Sequence, residues 1–231
     1  MKTSKLKRIV IVILLLAVSF WVYVEIANRN SKNMTARQKV LKVLYPLFTG
    51  YNRLFGKNTK IIENKNNIPP SQSFYNLSVS LNDGSRFSLK EWKGKKIMLV
   101  NTASDCGYTG QYVELQKLYQ KYKGKLMIIG FPANDFKEQE RNSDEEIEKF
   151  CTYNYGVSFP LAAKSVVIRS TTQNQVYQWL TDKTKNGWNN KQPSWNFSKY
   201  LVNEHGVLAG YFDPAISPLS EEVISSIAID D

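Results

Sequence analysis

Residues 97–122 read IMLVNTASDCGYTGQYVELQKLYQKY and contain the clearest secondary-structure signals in the chain. It begins with a continuous apolar run at 97–100, which is typical of a strand buried on both faces of a sheet. Farther along, apolar and aromatic residues recur every three or four positions, the spacing of an amphipathic helix: Tyr112, Leu115, Leu118, Tyr119 and Tyr122. The pattern therefore predicts a buried strand followed by a helix, with Cys106 at the junction.

The residues after this unit continue an α/β pattern. A second buried strand is predicted at 126–131, and Ser143 with Glu146 forms a capping-box signature for a helix that runs to about Tyr153. An antiparallel pair at 200–212 and a last helix from Ser220 complete the chain.

Upstream, residues 74–81 alternate in polarity, and the turn at Asp83-Gly84 joins them to residues 87–89 as a hairpin. The resulting order is hairpin, β-α-β-α, an antiparallel β-β pair and a helix. This order predicts an α/β thioredoxin fold with an N-terminal hairpin, over residues 73–231.

The N-terminus has the composition of a membrane anchor or an export signal. Four cations precede an apolar run at 9–24 that only Ser19 interrupts: Lys2, Lys5, Lys7 and Arg8. No small-x-small cleavage site follows, so an uncleaved transmembrane helix at 1–27 is favoured over a removed signal. The leading cations favour a cytoplasmic N-terminus, which predicts that the rest of the chain is extracytoplasmic, and periplasmic in a Gram-negative bacterium.

The net charge of +11 belongs to the same end of the chain. Residues 1–70 contain 13 Lys and Arg against 2 Asp and Glu, whereas residues 71–231 contain 18 of each sign. The predicted domain is thus neutral, which argues against nucleic-acid binding. Residues 28–72 are interpreted as a basic juxtamembrane linker. Within it, residues 40–48 could form a short amphipathic helix on lipid or could pack on the domain, with Pro46 and Gly50 limiting its length.

Cys106 is the candidate nucleophile. A thiol between a strand and a helix lies near free backbone N–H groups and the positive end of the helix dipole, both of which favour the thiolate and lower the thiol pKa. Thioredoxins place a C-x-x-C pair here, but Thr109 occupies the position of the second cysteine. A dithiol oxidoreductase would lose its partner thiol, while a peroxidase would not. A single structural disulfide between Cys106 and Cys151 remains an alternative in an exported chain.

Three motifs resemble those of the glutathione peroxidase family, from about Ser73 to the C-terminus. They are NTASDCGYT at 101–109, GFPANDFKEQE at 130–140 and WNF at 195–197. The resemblance implies a catalytic tetrad of Cys106, Gln139, Trp195 and Asn196. It also implies reduction of hydrogen peroxide and of organic or lipid hydroperoxides in oxidative-stress defence, without a cofactor or metal. The second motif departs from the family at Asp135, where a glutamine is usual, and a nearby carboxylate there would raise the nucleophile's pKa.

Cys151, in FCTYNYGVSFP, matches the resolving cysteine of the family's thioredoxin-dependent branch. The resemblance implies that it condenses with the sulfenic acid of Cys106, and that a thioredoxin-like protein is the reductant rather than glutathione. The alternative is an ordinary buried cysteine on a helix. The loop 182–194 is too short for the insertion that tetrameric members use, which favours a monomer.

Two other functions stay open. One is thiol–disulfide exchange with client proteins, and the other is a redox sensor that shares the peroxidase's first step. The only histidine, His205, is expected in a solvated turn, so Cys–His peptidase chemistry and a histidine-rich metal site lack their residues.

Overall fold

A computed structural model describes residues 2–55 and 60–228. Outside the described residues lie Met1 of the predicted anchor, 56–59 of the predicted linker and 229–231 of the predicted domain. The main sheet has five strands: β1 Ile61–Glu63, β4 Lys96–Thr102, β5 Leu126–Pro132, β6 Lys199–Val202 and β7 Leu208–Phe212. Their order across the sheet is β1-β7-β6-β4-β5. The helices are α1 Lys2–Ala27, α2 Ala36–Phe55, α3 Gln111–Lys121, α4 Asp144–Tyr155, α5 Gln175–Leu180, α6 Lys183–Asn186 and α7 Glu221–Ile227.

The predicted central strands are confirmed. β4 and β5 pair in parallel from Lys96↔Leu126 to Thr102↔Pro132, with α3 as the crossover between them. β6 adds to β4 antiparallel and β7 adds to β6. This arrangement of strands and helices is the predicted thioredoxin-type α/β fold.

The N-terminal hairpin is confirmed over a shorter length: β2 Ser78–Ser80 pairs with β3 Arg86–Ser88, whereas Phe74–Asn76, expected within the first strand, form a 3-10 helix. Its turn is stabilised by the Asp83 carboxylate, which accepts a hydrogen bond from the Ser85 amide at 2.8 Å. Gly84 has φ +83°, a conformation that glycine adopts without steric cost.

Helix α4 begins as its capping box predicts. The Ser143 hydroxyl accepts from the Glu146 amide, while the Glu146 carboxylate accepts from the Ser143 amide at 2.9 Å. The helix ends at Gly156 in the left-handed conformation, with φ +65°. It carries Cys151 on its buried face.

Two apolar layers cover the two faces of the sheet. One contains both cysteines together with side chains of α3, α4 and α7. The other contains Trp179 and Tyr177 of α5 and the side chains under the hairpin. Both cysteines therefore lie on the same face of the sheet, the face that α3 and α4 cover.

The N-terminal region is more ordered than a linker. Within α1, the most apolar 18-residue stretch of Lys5–Ala27 has a mean hydropathy of 2.7 and is almost wholly exposed, so this helix is long and apolar enough to cross a membrane. Strand β1 pairs with β7, which places residues before the predicted boundary at Ser73 in the sheet.

Helix α2 differs from its sequence-based prediction. It runs for 20 residues through Pro46, so the expectation that Pro46 and Gly50 limit its length was wrong. Pro46 lacks the N–H that would bond the Lys42 carbonyl, but the Thr49 hydroxyl lies within 3.1 Å of the carbonyls of Tyr45 and Pro46 and supports the backbone there. Tyr45 is buried against the domain, which stabilises the helix through its proline.

Candidate active site

Cys106 lies in the tight turn between β4 and α3, and its side chain is 1% exposed. The Thr109 hydroxyl holds the turn. It accepts from the Cys106 amide at 3.1 Å and lies 2.9 Å from the Ala103 carbonyl and 2.8 Å from the Cys106 carbonyl. The residue that replaces the second cysteine of a C-x-x-C pair thus has a structural role.

Three neutral donors face the sulfur. The Tyr108 amide N lies 3.4 Å from Cys106 Sγ, and the side chains of Trp195 and Asn196 lie close enough to the sulfur to lower the pKa of the thiol. Asn196 Nδ2 donates in turn to Gln139 Oε1 at 3.1 Å. The structure therefore brings together the four residues that the motifs singled out, from three separate segments of the chain.

The residue that fixes the third segment to the sheet is Asn101, which was not among the site residues predicted from the sequence. Asn101, near the end of β4, donates from Nδ2 to the Trp195 carbonyl at 3.0 Å, and its own carbonyl accepts from the Phe197 amide at 2.6 Å. An amide side chain on an otherwise apolar buried strand was the available signal.

Lys199, at the start of β6, supports the same segment. Its ammonium is fully buried and donates to the Phe197 carbonyl at 2.8 Å and to Gln111 Oε1 at 3.0 Å. Phe197 has φ +68°, so these bonds stabilise a backbone conformation that is costly for a side-chain-bearing residue. Burial lowers the pKa of Lys199 to about 7.

The segment that carries Gln139 is tied to the Cys106 turn. The Asp105 amide donates to the Gln139 carbonyl at 3.1 Å, and Glu140 Oε2 accepts from both the amide and the hydroxyl of Ser104 at 2.8 Å. Glu140 is fully buried, and this burial raises its pKa to about 7. Its other carboxylate oxygen has no hydrogen-bond partner.

Gln139 is preceded by two residues in the left-handed region, Lys137 at φ +52° and Glu138 at φ +51°. This double turn brings the loop over Trp195. The Lys137 ammonium lies 5.7 Å from the centre of the Trp195 ring, and the Phe136 ring centre lies 5.4 Å away. The indole is therefore restrained from the side of this loop.

The predicted acidity of the nucleophile is wrong for this conformation. Burial raises the pKa of Cys106 to about 11, and the hydrogen bonds from Tyr108, Trp195 and Asn196 oppose that rise only in part. The carboxylate that adds to the rise is that of Asp105. Asp135, the residue suspected from the sequence, accepts from the Val167 amide at 2.9 Å. At neutral pH the Cys106 thiol is therefore protonated in this state.

Cys151 lies on α4 with 0% exposure, and the two cysteines are both free thiols. Its neighbours include Tyr112 and Tyr155, and Glu140 acts on it electrostatically. Burial raises the pKa of the Cys151 thiol well above its usual range. No disulfide joins the two sulfurs in this structure.

Within residues 2–55 and 60–228, no group of three or more His, Cys, Asp or Glu side chains is arranged to hold a metal ion. His205 lies exposed in the turn between β6 and β7, where its amide donates to Asn203 Oδ1 at 3.0 Å.

Comparison with known proteins gives a consistent result. The sequence model of the family described as glutathione peroxidase matches residues 74–181. The glutathione peroxidase-like peroxiredoxin 2 of Saccharomyces cerevisiae is 39% identical over 159 residues, 68% of this chain and 98% of the relative. The glutathione peroxidase homolog BsaA of Staphylococcus epidermidis is 40% identical over 148 residues, 64% of this chain and 92% of the relative. The crystal structure of T. cruzi GPX1 superposes with a TM-score of 0.51 at 28% identity, covering 68% of this chain and 97% of that one.

Proposed function

Because the chain belongs to the glutathione peroxidase family, we propose that it reduces hydrogen peroxide and organic hydroperoxides, including those of lipids, with Cys106 as the nucleophile. The observation that supports this most directly is the convergence of the Tyr108 amide, Trp195 and Asn196 on one sulfur, with Gln139 bonded to Asn196. Uncharged donors in a dry site stabilise negative charge as it develops. The proposed reaction involves neither a cofactor nor a metal.

In the first step the Cys106 sulfur attacks one peroxide oxygen and the O–O bond breaks. The other oxygen leaves as water or an alcohol with the thiol proton, and Cys106 becomes a sulfenic acid. Since burial keeps the thiol protonated, the proton must move as the S–O bond forms. The three donors then stabilise the charge on sulfur and on the leaving oxygen during that transfer.

In the second step Cys151 attacks the Cys106 sulfur, water leaves, and an intramolecular disulfide forms. A thioredoxin-like dithiol then reduces the disulfide by exchange and is itself oxidised. The presence of Cys151 favours this reductant over glutathione. Mass spectrometry after stoichiometric peroxide should find a 106–151 disulfide; sulfinic acid on Cys106 alone would exclude the resolving role.

We place the reaction at a membrane surface. Helix α1 would serve as an uncleaved anchor, and the cations before its apolar run favour a cytoplasmic N-terminus with the monomeric domain extracytoplasmic. Lipid hydroperoxides would then lie within reach of the domain.

The proposal is tested by a matched pair of tryptophan variants. Trp195→Phe removes the indole N–H that faces Cys106, whereas the Trp188 indole donates to the Leu208 carbonyl at 2.8 Å. A hydrogen bond to a charged group contributes about 1.5–3 kcal/mol, so Trp195→Phe should lower kcat/KM for peroxide about 10- to 100-fold. Trp188→Phe should leave it within about twofold, although it loses a hydrogen bond of its own.

The assay is steady-state peroxide consumption, with thioredoxin and glutathione supplied separately and Cys106→Ser as the inactive reference. Equal activity of the two tryptophan variants would contradict the proposed site. Faster turnover with glutathione would contradict the proposed reductant.

A redox sensor is the second candidate, because the Cys106 thiol is buried and protonated. A sensor would show slow turnover with both reductants and a stable mixed disulfide with another protein. Insulin reduction without peroxide consumption would instead indicate thiol–disulfide exchange.

A further inference from the structure

Helix α2 contacts the turn that carries Cys106, although it precedes the matched family region at 74–181. The Arg37 guanidinium forms an ion pair with Asp105, with Nη1 3.3 Å from Oδ2. Gln38 Nε2 donates to the Ser104 carbonyl at 3.2 Å in a buried position. The two residues directly before the nucleophile are thus bonded to the first turn of α2.

Farther along α2, two aromatic rings cover the residues directly after Cys106. The Tyr45 ring packs so closely on Gly110 that a Cβ at that position would collide with the ring. The Phe48 ring centre lies 5.0 Å from that of Tyr108, the residue whose amide faces the Cys106 sulfur. The Tyr45 contact accounts for the glycine at 110, which the site chemistry does not require.

The same N-terminal segment is bonded to the end of α4, three residues beyond Cys151. Lys42 Nζ donates to the Asn154 carbonyl at 3.0 Å. The Asn154 side chain bonds both backbone groups of Lys32, accepting from its amide at 2.8 Å and donating to its carbonyl at 2.9 Å. Three hydrogen bonds therefore hold the last turn of α4 to this segment.

We propose that α2, with the residues leading into it, is a strap that joins the Cys106 turn to the end of α4 and so limits the rate of disulfide formation. The inference rests on the proposed resolving role of Cys151. That residue is fully buried on α4 and is a free thiol in this state, and the proposal takes its approach to Cys106 to be a local opening of the end of α4. Unwinding the last turn of α4 breaks the bonds to Lys32 and Lys42, so the strap opposes the movement.

Disulfide formation, the step that the strap slows, needs no reagent other than the Cys106 sulfenic acid and the Cys151 thiol. The Cys151 sulfur attacks the sulfenic sulfur of Cys106, an S–S bond forms, and the S–O bond breaks. The leaving hydroxide takes the Cys151 thiol proton and departs as water. The strap thus changes the rate of this step and not its chemistry.

The test measures the two steps separately in the reduced full chain in detergent micelles, mixed with one equivalent of hydrogen peroxide. Sulfenic acid is trapped with a dimedone probe, and the disulfide is quantified by mass spectrometry after alkylation. Lys42→Met and Asn154→Ala should each accelerate disulfide formation about tenfold, the effect of losing one or two net hydrogen bonds, and should leave sulfenic acid formation within about twofold.

Lys39→Met is the matched control. It removes the same charge from α2, but Lys39 pairs with Glu25 of α1 at 2.7 Å, so both steps should stay within about twofold. Hydrogen exchange before peroxide is added gives an independent readout. The amides at the end of α4 should exchange faster in Lys42→Met and Asn154→Ala than in Lys39→Met.

Each outcome of these measurements either supports or overturns the strap. Equal disulfide rates in the wild type and all three variants overturn the strap, even if exchange at the end of α4 is faster. No disulfide in any chain overturns the resolving role of Cys151, and the strap with it. Disulfide in the two strap variants alone, or faster in them, supports the proposal.

Discussion

Glu140 gives the sharpest stability prediction. Its carboxyl is fully buried, and its pKa of about 7 in the folded state compares with the ordinary value of 4.5. Between these two values the folded chain binds more protons than the unfolded chain, so stability falls as pH rises through this window. Glu140→Gln removes the titration while keeping an oxygen that can accept from Ser104.

The magnitude follows from the pKa difference. A separation of 2.5 units between about 7 and 4.5 corresponds to about 3 kcal/mol at 1.36 kcal/mol per unit. The free energy of unfolding of Glu140→Gln, relative to wild type, should therefore rise by about 3 kcal/mol from pH 4 to pH 8. Most of the rise should occur between pH 4.5 and 7.

Urea denaturation of both reduced proteins at one-unit pH intervals measures this difference directly. Glu138→Gln is the control, because Glu138 is exposed and pairs with Arg141 at the surface, so its difference should stay within about 0.5 kcal/mol. A Glu140→Gln difference that is constant with pH, or that falls as pH rises, would refute the reasoning.

Two further predictions concern strained or buried groups. Burial lowers the pKa of Lys199 from 10.5 to about 7, so between these values the unfolded chain binds more protons than the folded chain. The free energy of unfolding of the wild type should therefore rise with pH relative to Lys199→Met, by up to about 1.4 kcal/mol per pH unit, in urea titrations from pH 7 to 10. A constant difference between the two proteins over this range would contradict the prediction. Glu138 has φ +51°, a conformation that asparagine tolerates and a β-branched residue does not. Both Glu138→Val and Glu138→Asn lose the ion pair with Arg141, but Glu138→Val should have a free energy of unfolding about 1–2 kcal/mol lower than Glu138→Asn. Equal thermal unfolding of the two variants would contradict this prediction.

Much of the fold could be predicted because its signals are local. The apolar runs of β4 and β5 need no partner to be recognised as buried strands, and the capping box at Ser143 marks the start of α4 by itself. Cys106 was recognised from its place between a strand and a helix, but Gln139, Trp195 and Asn196 were found only through the family motifs. No spacing in the sequence shows that Asn101 fixes the segment at 195–197 to the sheet.

The features that could not be predicted depend on contacts between distant segments. The pKa of Cys106 was expected to fall from its place between strand and helix, yet burial dominates and raises it. The course of α2 was also missed, because Pro46 and Gly50 are local helix-breaking signals. Packing of Tyr45 on Gly110 outweighs both, and this contact joins residues 65 positions apart.

Strand β1 changes which backbone groups the main sheet exposes at its edge. It is three residues long and covers one side of β7 through the pairs Ile61↔Phe212, Ile62↔Tyr211 and Glu63↔Gly210. Without it, β7 would present a row of open amides and carbonyls, the usual template for aggregation between copies. The segment between the apolar helix and the domain thus prevents β7 from pairing with another copy of the chain. A chain truncated to begin at residue 73 would expose that edge.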